Sequence, residues 1–146
     1  MRGMMGAEVG IFLKTVRKAD LNITTAEWIG LASRLREPIS HTRAVLASTD
    51  PVALDYHAMK YVLYPNSQIP LHNPDNLNGP LYHDLKHCAE KSGFVFDEKH
   101  VAVKSYDFQK QTMQDDRNLV VSGKMRWGYE PTILMKYMAM RFLSGA

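Results

Sequence analysis

The chain has 146 residues, enough for one ordinary domain that buries about 70% of the surface its unfolded form exposes. Hydrophobic residues make up 45% and charged residues 23%, which excludes a disordered or fibrous chain. A formal charge of +3 with eighteen basic and fifteen acidic residues, scattered and without a long basic run, argues against a dedicated nucleic-acid role.

Cys88 is the single cysteine, so no internal disulfide forms and no iron–sulfur cluster is held by this chain alone. The first ten residues include Glu8 and lack the apolar core of a signal peptide, and no stretch reaches the length of a transmembrane span. The chain therefore reads as cytoplasmic.

In chain order, Val9, Phe12, Leu13 and Val16 fall at i, i+3, i+4, i+7 spacing and predict an amphipathic helix from Ala7 to Lys18, its stripe facing the core. Leu21, Ile23 and Thr25 alternate with Asn22 and Thr24 and predict a strand from Asp20 to Trp28. Arg43 to Ser48 is short and apolar, the pattern of a strand buried on both faces of a parallel sheet. A helix should follow, with Leu54, Ala58, Tyr61 and Val62 facing that sheet.

Tyr64 to Gly79 contains Pro65, Pro70 and Pro74 and predicts a long loop. Pro80 at a first-turn position, the stripe Leu81, Leu85, Cys88 and Ala89, and Gly93 as a cap predict a helix from Pro80 to Ser92, with Cys88 in the core. Phe94 to Phe96, Val101 to Tyr106 and Leu119 to Ser122 read as short strands, and Gln109 to Asn118 as a polar loop. Pro131 opens a last, Met-rich helix to Leu143 that is apolar nearly all round and has to be buried in this domain or against a partner. Together these elements predict one α/β domain over residues 1–146, with a mainly parallel or mixed sheet and helices on its faces.

The chemistry concentrates where the second strand meets its helix. Asp50 is placed to accept from the free amides of the first turn, and Pro51 supplies a helix-ready φ without an amide to leave unsatisfied. In a parallel sheet this junction would lie at a carboxyl end with a helix N-terminus pointing outward, a place where anions settle. Ser48, Thr49, Asp50 and Asp55 are thus the candidate ligand-binding residues for a small anionic molecule, and Asp55 and His57 the catalytic candidates. The alternative is that Asp50 only caps the helix and Asp55 only complements its dipole.

Other groups compete for attention. His83, His87 and Glu90 share one face of the Pro80 to Ser92 helix and are the candidate metal ligands. His72 and His57 would join Asp55 as an acid–base set if the fold brought them together. A different reading makes the chain a non-catalytic assembly module, docking on a partner chain or a second copy through residues 131–143.

The run from His41 to Asp55, an apolar strand, a small residue and then Asp50-Pro51-Val52-Ala53-Leu54-Asp55, resembles the signature near the C-terminal end of the family called domain of unknown function 362. Leu21 to Gly30 is similar to the strand and loop preceding that signature, where family members usually carry Asp and this chain has Glu27. The similarity covers Ala19 to Val62 and extends toward Tyr106. It implies a bacterial or archaeal α/β protein without a settled activity, sometimes fused to ferredoxin-like segments whose cysteine motif is missing here. It also implies that the chain is the C-terminal portion of a longer protein.

Overall fold

The computed structural model describes residues 3–30, 39–115 and 119–126, together with residues 135, 138, 139 and 142. Helix α1 (Met4–Thr15) leads into strand β1 (Asn22–Gly30), which pairs antiparallel with β2 (Ile39–Ser48) from Asn22 opposite Ser48 to Gly30 opposite Ile39. The register slips between Ala26 and Trp28, a bulge that bends β1. A third strand, β5 (Lys124–Arg126), pairs antiparallel with the start of β2, giving the order β1-β2-β5. Strands β3 (Lys104–Asp107) and β4 (Thr112–Asp115) form a separate antiparallel hairpin.

The chain is thus built of helices and strands, as expected, but where a mainly parallel or mixed sheet was expected every ladder among the described residues is antiparallel. Arg43 to Ser48 is not buried on both faces either. Its burial alternates, and Val45 is 68% exposed, so one face of the sheet is open. An apolar run on a sheet covered on one side looks the same in sequence as a strand covered on both.

Helix α2 (Pro51–Ala58) packs against β2 and continues without a break through a π turn (Met59–Leu63) into α3 (Tyr64–Ser67), so the loop expected from Tyr64 begins later. Pro65 lies inside this helix. It has no amide for the Tyr61 carbonyl one turn back, and the Val121 amide donates to that oxygen instead, at 2.9 Å. The π turn, in which the Tyr64 amide reaches Met59 O, absorbs the rest of the disturbance.

Asn66, 7% exposed, holds the same region together. Its amide nitrogen donates to Val62 O at 2.5 Å and Val121 O at 2.8 Å, while its oxygen accepts from Ser40 Oγ at 2.8 Å and the Gly123 amide at 2.9 Å. One side chain thereby ties α3 to β2 and to 121–123, which lies against the helix before β5 rather than forming the expected strand.

Helix α4 (Pro80–Ser92) forms where the sequence predicts it, with Pro80 in the first turn and Gly93 at φ 79°, its amide bonded to Ala89 O. Val52, Leu85, Cys88 and Ala89 make the core cluster, with Leu13, Tyr56, Met59, Phe94 and Phe96 packed around it. Helix α1 starts three residues earlier than expected and lies against α4 through Gly6 and Gly10. A Cβ at Gly10 would sit 2.5 Å from Cys88 O, and one at Gly6 closer still to Asp84 O. Of the predicted stripe only Leu13 reaches the core. Val9, Phe12 and Val16 are exposed, Phe12 by 57%, because glycine allows the backbones to approach and so turns the apolar stripe outward.

The remaining differences are local. Phe94 to Phe96 is extended without a ladder, the strand expected from Val101 starts at Lys104, and part of the expected loop 109–118 is β4. The predicted helix from Pro131 to Leu143 lies mostly outside the described residues. Met135, Met138, Ala139 and Phe142 within it are helical, and all four are exposed.

Candidate functional site

The strand-to-helix junction is a tightly bonded cap. Asp50 Oδ1 accepts from the Ala53 amide at 2.9 Å, Asp50 Oδ2 from the Val95 amide at 3.0 Å, and the Asp50 amide donates to Ser48 Oγ at 3.0 Å. The Ser48 carbonyl accepts from Asn22 Nδ2 at 3.2 Å. Asp50 thus supplies the negative charge for this helix N-terminus from within the chain, and Thr49 stands exposed beside it.

One turn on, Asp55 leaves this cap. It lines an open groove of about 260 Å³ between β1 and the α2 helix, bounded by Thr24, Thr25, Ala26, Ile29 and Gly30 on the strand and by Ala58, Met59, Val62 and Leu63 on the helix. The carboxylate is open to solvent along the groove, yet the surrounding walls withdraw enough water to push its pKa above the usual value. It has no hydrogen-bond or ion-pair partner among the described residues. Thr24, on the strand face it shares with buried Ala26, and the apolar helix face complete a surface with one charge, one hydroxyl and hydrocarbon walls.

His57 is not part of that groove. It lies with its ring centroid 4.7 Å from that of Tyr61, beside a narrow crevice formed by Ala53, Tyr56, Glu98, Val101 and Val103. Burial holds its pKa below the ordinary value. His72 is elsewhere again, its Nδ1 3.0 Å from Ser67 Oγ, with a pKa also lowered by burial. The structure therefore does not bring Asp55, His57 and His72 into one acid–base set.

A polar network absent from the sequence reading surrounds Lys60. Its ammonium donates to Glu98 Oε2 at 2.7 Å and to Tyr56 Oη at 3.0 Å, and pairs with Asp75 Oδ2 at 2.9 Å. Tyr56 Oη donates to Asp75 Oδ1 at 2.5 Å, and Tyr61 Oη donates to Glu98. Burial works to lower the Lys60 pKa, but its bonds to Glu98, Tyr56 and Asp75 outweigh it and the net shift is upward. Both phenols are pushed up to about 12, first by burial and then by the carboxylates they bond. Tyr56 and Lys60 stand at i and i+4 on the helix, a spacing visible in the sequence; Asp75 and Glu98 arrive from distant segments.

On α4, His87 Nδ1 lies 3.1 Å from Glu90 Oε2, and the His83 and His87 rings are 6.4 Å apart. Among the described residues no three His, Cys, Asp or Glu side chains are grouped so as to hold a metal ion. Cys88 is buried as expected, and burial raises its thiol pKa. Glu27 is exposed on β1 with Oε1 3.7 Å from His41 Nε2, and the His41 ring stacks on Trp28 at 3.9 Å. No helix of the described residues is long and apolar enough to cross a membrane.

Comparison with known proteins finds no family model, no curated protein and no solved structure that matches the chain.

Proposed function

We propose that the chain binds a small, largely apolar molecule in the groove between β1 and α2, with Asp55 holding the polar end of the ligand. The observation that carries this reading is a carboxylate without a partner among the described residues, bordering a largely apolar groove of about 260 Å³. Leaving a carboxylate partly desolvated and unpaired costs folding free energy, and such costs concentrate where a ligand later supplies the missing partner. Thr24 offers its hydroxyl to the same ligand, while Ala58, Met59, Val62 and Leu63 cover its hydrocarbon.

The sequence reading puts a small anion at Ser48, Thr49 and the amides after Asp50. With the Asp50 carboxylate already accepting from Ala53 and Val95, the proposal moves the ligand to the Asp55 side of the junction and gives it a hydrogen-bond donor in place of negative charge. The likeness of His41 to Asp55 to domain of unknown function 362 belongs to the same proposal, and its support is the residue pattern itself. Binding is what these residues account for, and no reaction is assigned to Asp55 or His57.

Thermal unfolding against a panel of small apolar alcohols, amines and acids tests the reading, because a ligand present at a hundred times its dissociation constant adds about 2.7 kcal/mol to the folded state. A stabilising compound that loses its effect in Asp55→Asn and in Ala58→Phe, which fills the groove, supports it. A cooperative transition that no compound moves, or a shift equal in all three proteins, overturns it.

A second reading, the assembly module, draws on a separate observation. Met135, Met138, Ala139 and Phe142 repeat at i, i+3, i+4, i+7 and are all exposed, Phe142 by 71%. An apolar face of that spacing suits a partner chain or a second copy. Deleting residues 131–146 would leave a folded monomer if this face docks, and an aggregated chain if the domain needs it.

A further inference from the structure

We infer that the polar end of the groove ligand is a protonated amine, so that the site takes alkyl- or arylalkylammonium compounds; this rests on the reading of the groove as a binding site. Asp55 is the single ionisable side chain among the residues that line it. A neutral polar group would be served by Thr24 alone, whereas an ionised carboxylate gains most from a donor that carries positive charge.

The surroundings sharpen the argument. The nearby cation on the same helix, Lys60, is already engaged by Glu98, Asp75 and Tyr56, and those bonds hold its ammonium on the far network. Asp50, the neighbouring carboxylate, is already engaged by two backbone amides. The charge left over on this helix is negative and borders a largely apolar groove. An ammonium placed there gains a charge-assisted hydrogen bond, and its hydrocarbon covers Ala58, Met59, Val62 and Leu63.

The ligand class also dictates a pH profile. Asp55 has to be ionised to hold a cation, and burial raises its pKa. Affinity for an amine should therefore fall as the pH drops through that raised pKa, while affinity for a neutral compound stays level. Cys88 on α4 feels the Asp55 charge, but its thiol pKa is raised and it stays neutral while the carboxylate titrates; Lys60, Glu98, Asp75 and His57 belong to the separate network and crevice.

The test is calorimetric titration of the whole chain with n-hexylammonium, n-hexanol and n-hexanoate, each repeated with Asp55→Asn and Ala58→Phe. The inference predicts that hexylammonium binds roughly tenfold or more tightly than hexanol, as a charge-assisted bond implies, and that Asp55→Asn erases the difference. Equal binding of amine and alcohol, both lost in Ala58→Phe, would overturn the amine and leave the groove reading standing. Preference for hexanoate overturns the amine as well. Binding by none of the three, or binding indifferent to Ala58→Phe, overturns both.

Discussion

Asp50 Oδ2 accepts from the Val95 amide at 3.0 Å while Oδ1 of the same carboxylate caps α2 through the Ala53 amide at 2.9 Å. One side chain thus joins the start of α2 to the segment that leaves α4. Replacing it with Ala removes both bonds, and Asp50→Ala should cost about 2 kcal/mol in urea unfolding, the cap and the second bond together. Asp50→Asn keeps one acceptor and should fall between the variant and the parent. A loss in Asp50→Ala no larger than a few tenths of a kcal/mol would mean that the carboxylate is free to serve a ligand instead.

The helix that carries Asp55 depends on Asn66, which lies in a proline-rich stretch with the sequence pattern of a loop. Asn66 satisfies four partners, so Asn66→Ala leaves several buried groups unbonded and should destabilise the chain by about 3 kcal/mol. Ser40→Ala, which removes only one of them, should cost about 1 kcal/mol, and the double variant should cost less than the sum. Additive losses would show that Asn66 and Ser40 act separately.

The elements legible in the sequence were those written in local chemistry. Asp50-Pro51 marks the start of α2, and Pro80 with Gly93 brackets α4, because a cap, a first-turn proline and a left-handed glycine act within a few residues of themselves. The helix around Pro65 is not legible for the opposite reason: the Val121 amide that makes the proline tolerable there comes from far along the chain. Likewise Ala44, Val45, Leu46 and Ala47 put apolar side chains on both faces of β2 although one face is open, which hid the antiparallel hairpin. Asp55 was legible as a polar residue of interest. The groove around it was not, since Thr24, Thr25 and Met59 meet only through the pairing of β1 with β2 and the packing of the helix.

The packing of α1 separates the glycines from the stripe that seemed to matter. Gly6→Ala or Gly10→Ala forces a methyl into the backbone of α4 and should cost about 2 kcal/mol, as overpacking does. Phe12→Lys and Val16→Lys, on the exposed side, should change the stability of the monomer by no more than about 0.5 kcal/mol. The reverse ranking would restore the stripe to the core.

Two carboxylates should give opposite pH signatures. Burial alone would raise the Glu98 pKa, but its bonds to Lys60 and Tyr61 outweigh it and the pKa is lowered. Glu98 therefore contributes stability that is present above its unfolded pKa of about 4.3 and is lost as the pH falls through its lower folded value. Asp55, raised by burial, works the other way: its contribution is most favourable below its unfolded pKa of about 3.9 and is lost as the pH rises through the raised one. At pH 7, then, Glu98→Gln should be less stable than the parent and Asp55→Asn more stable. A destabilised Asp55→Asn would give that carboxylate a structural partner and remove the reason to call it a site.

The most direct test of the groove is to see where a bound compound sits. Amide chemical shifts followed during titration with n-hexylammonium should move at Thr24, Thr25, Ala26, Asp55, Ala58 and Met59, and in Asp55→Asn should need roughly tenfold more amine to do so. Shifts gathered instead on Phe12 and Val16, or on Met135, Met138 and Phe142, with the groove silent, would contradict the account and turn attention to the exposed apolar faces of the chain.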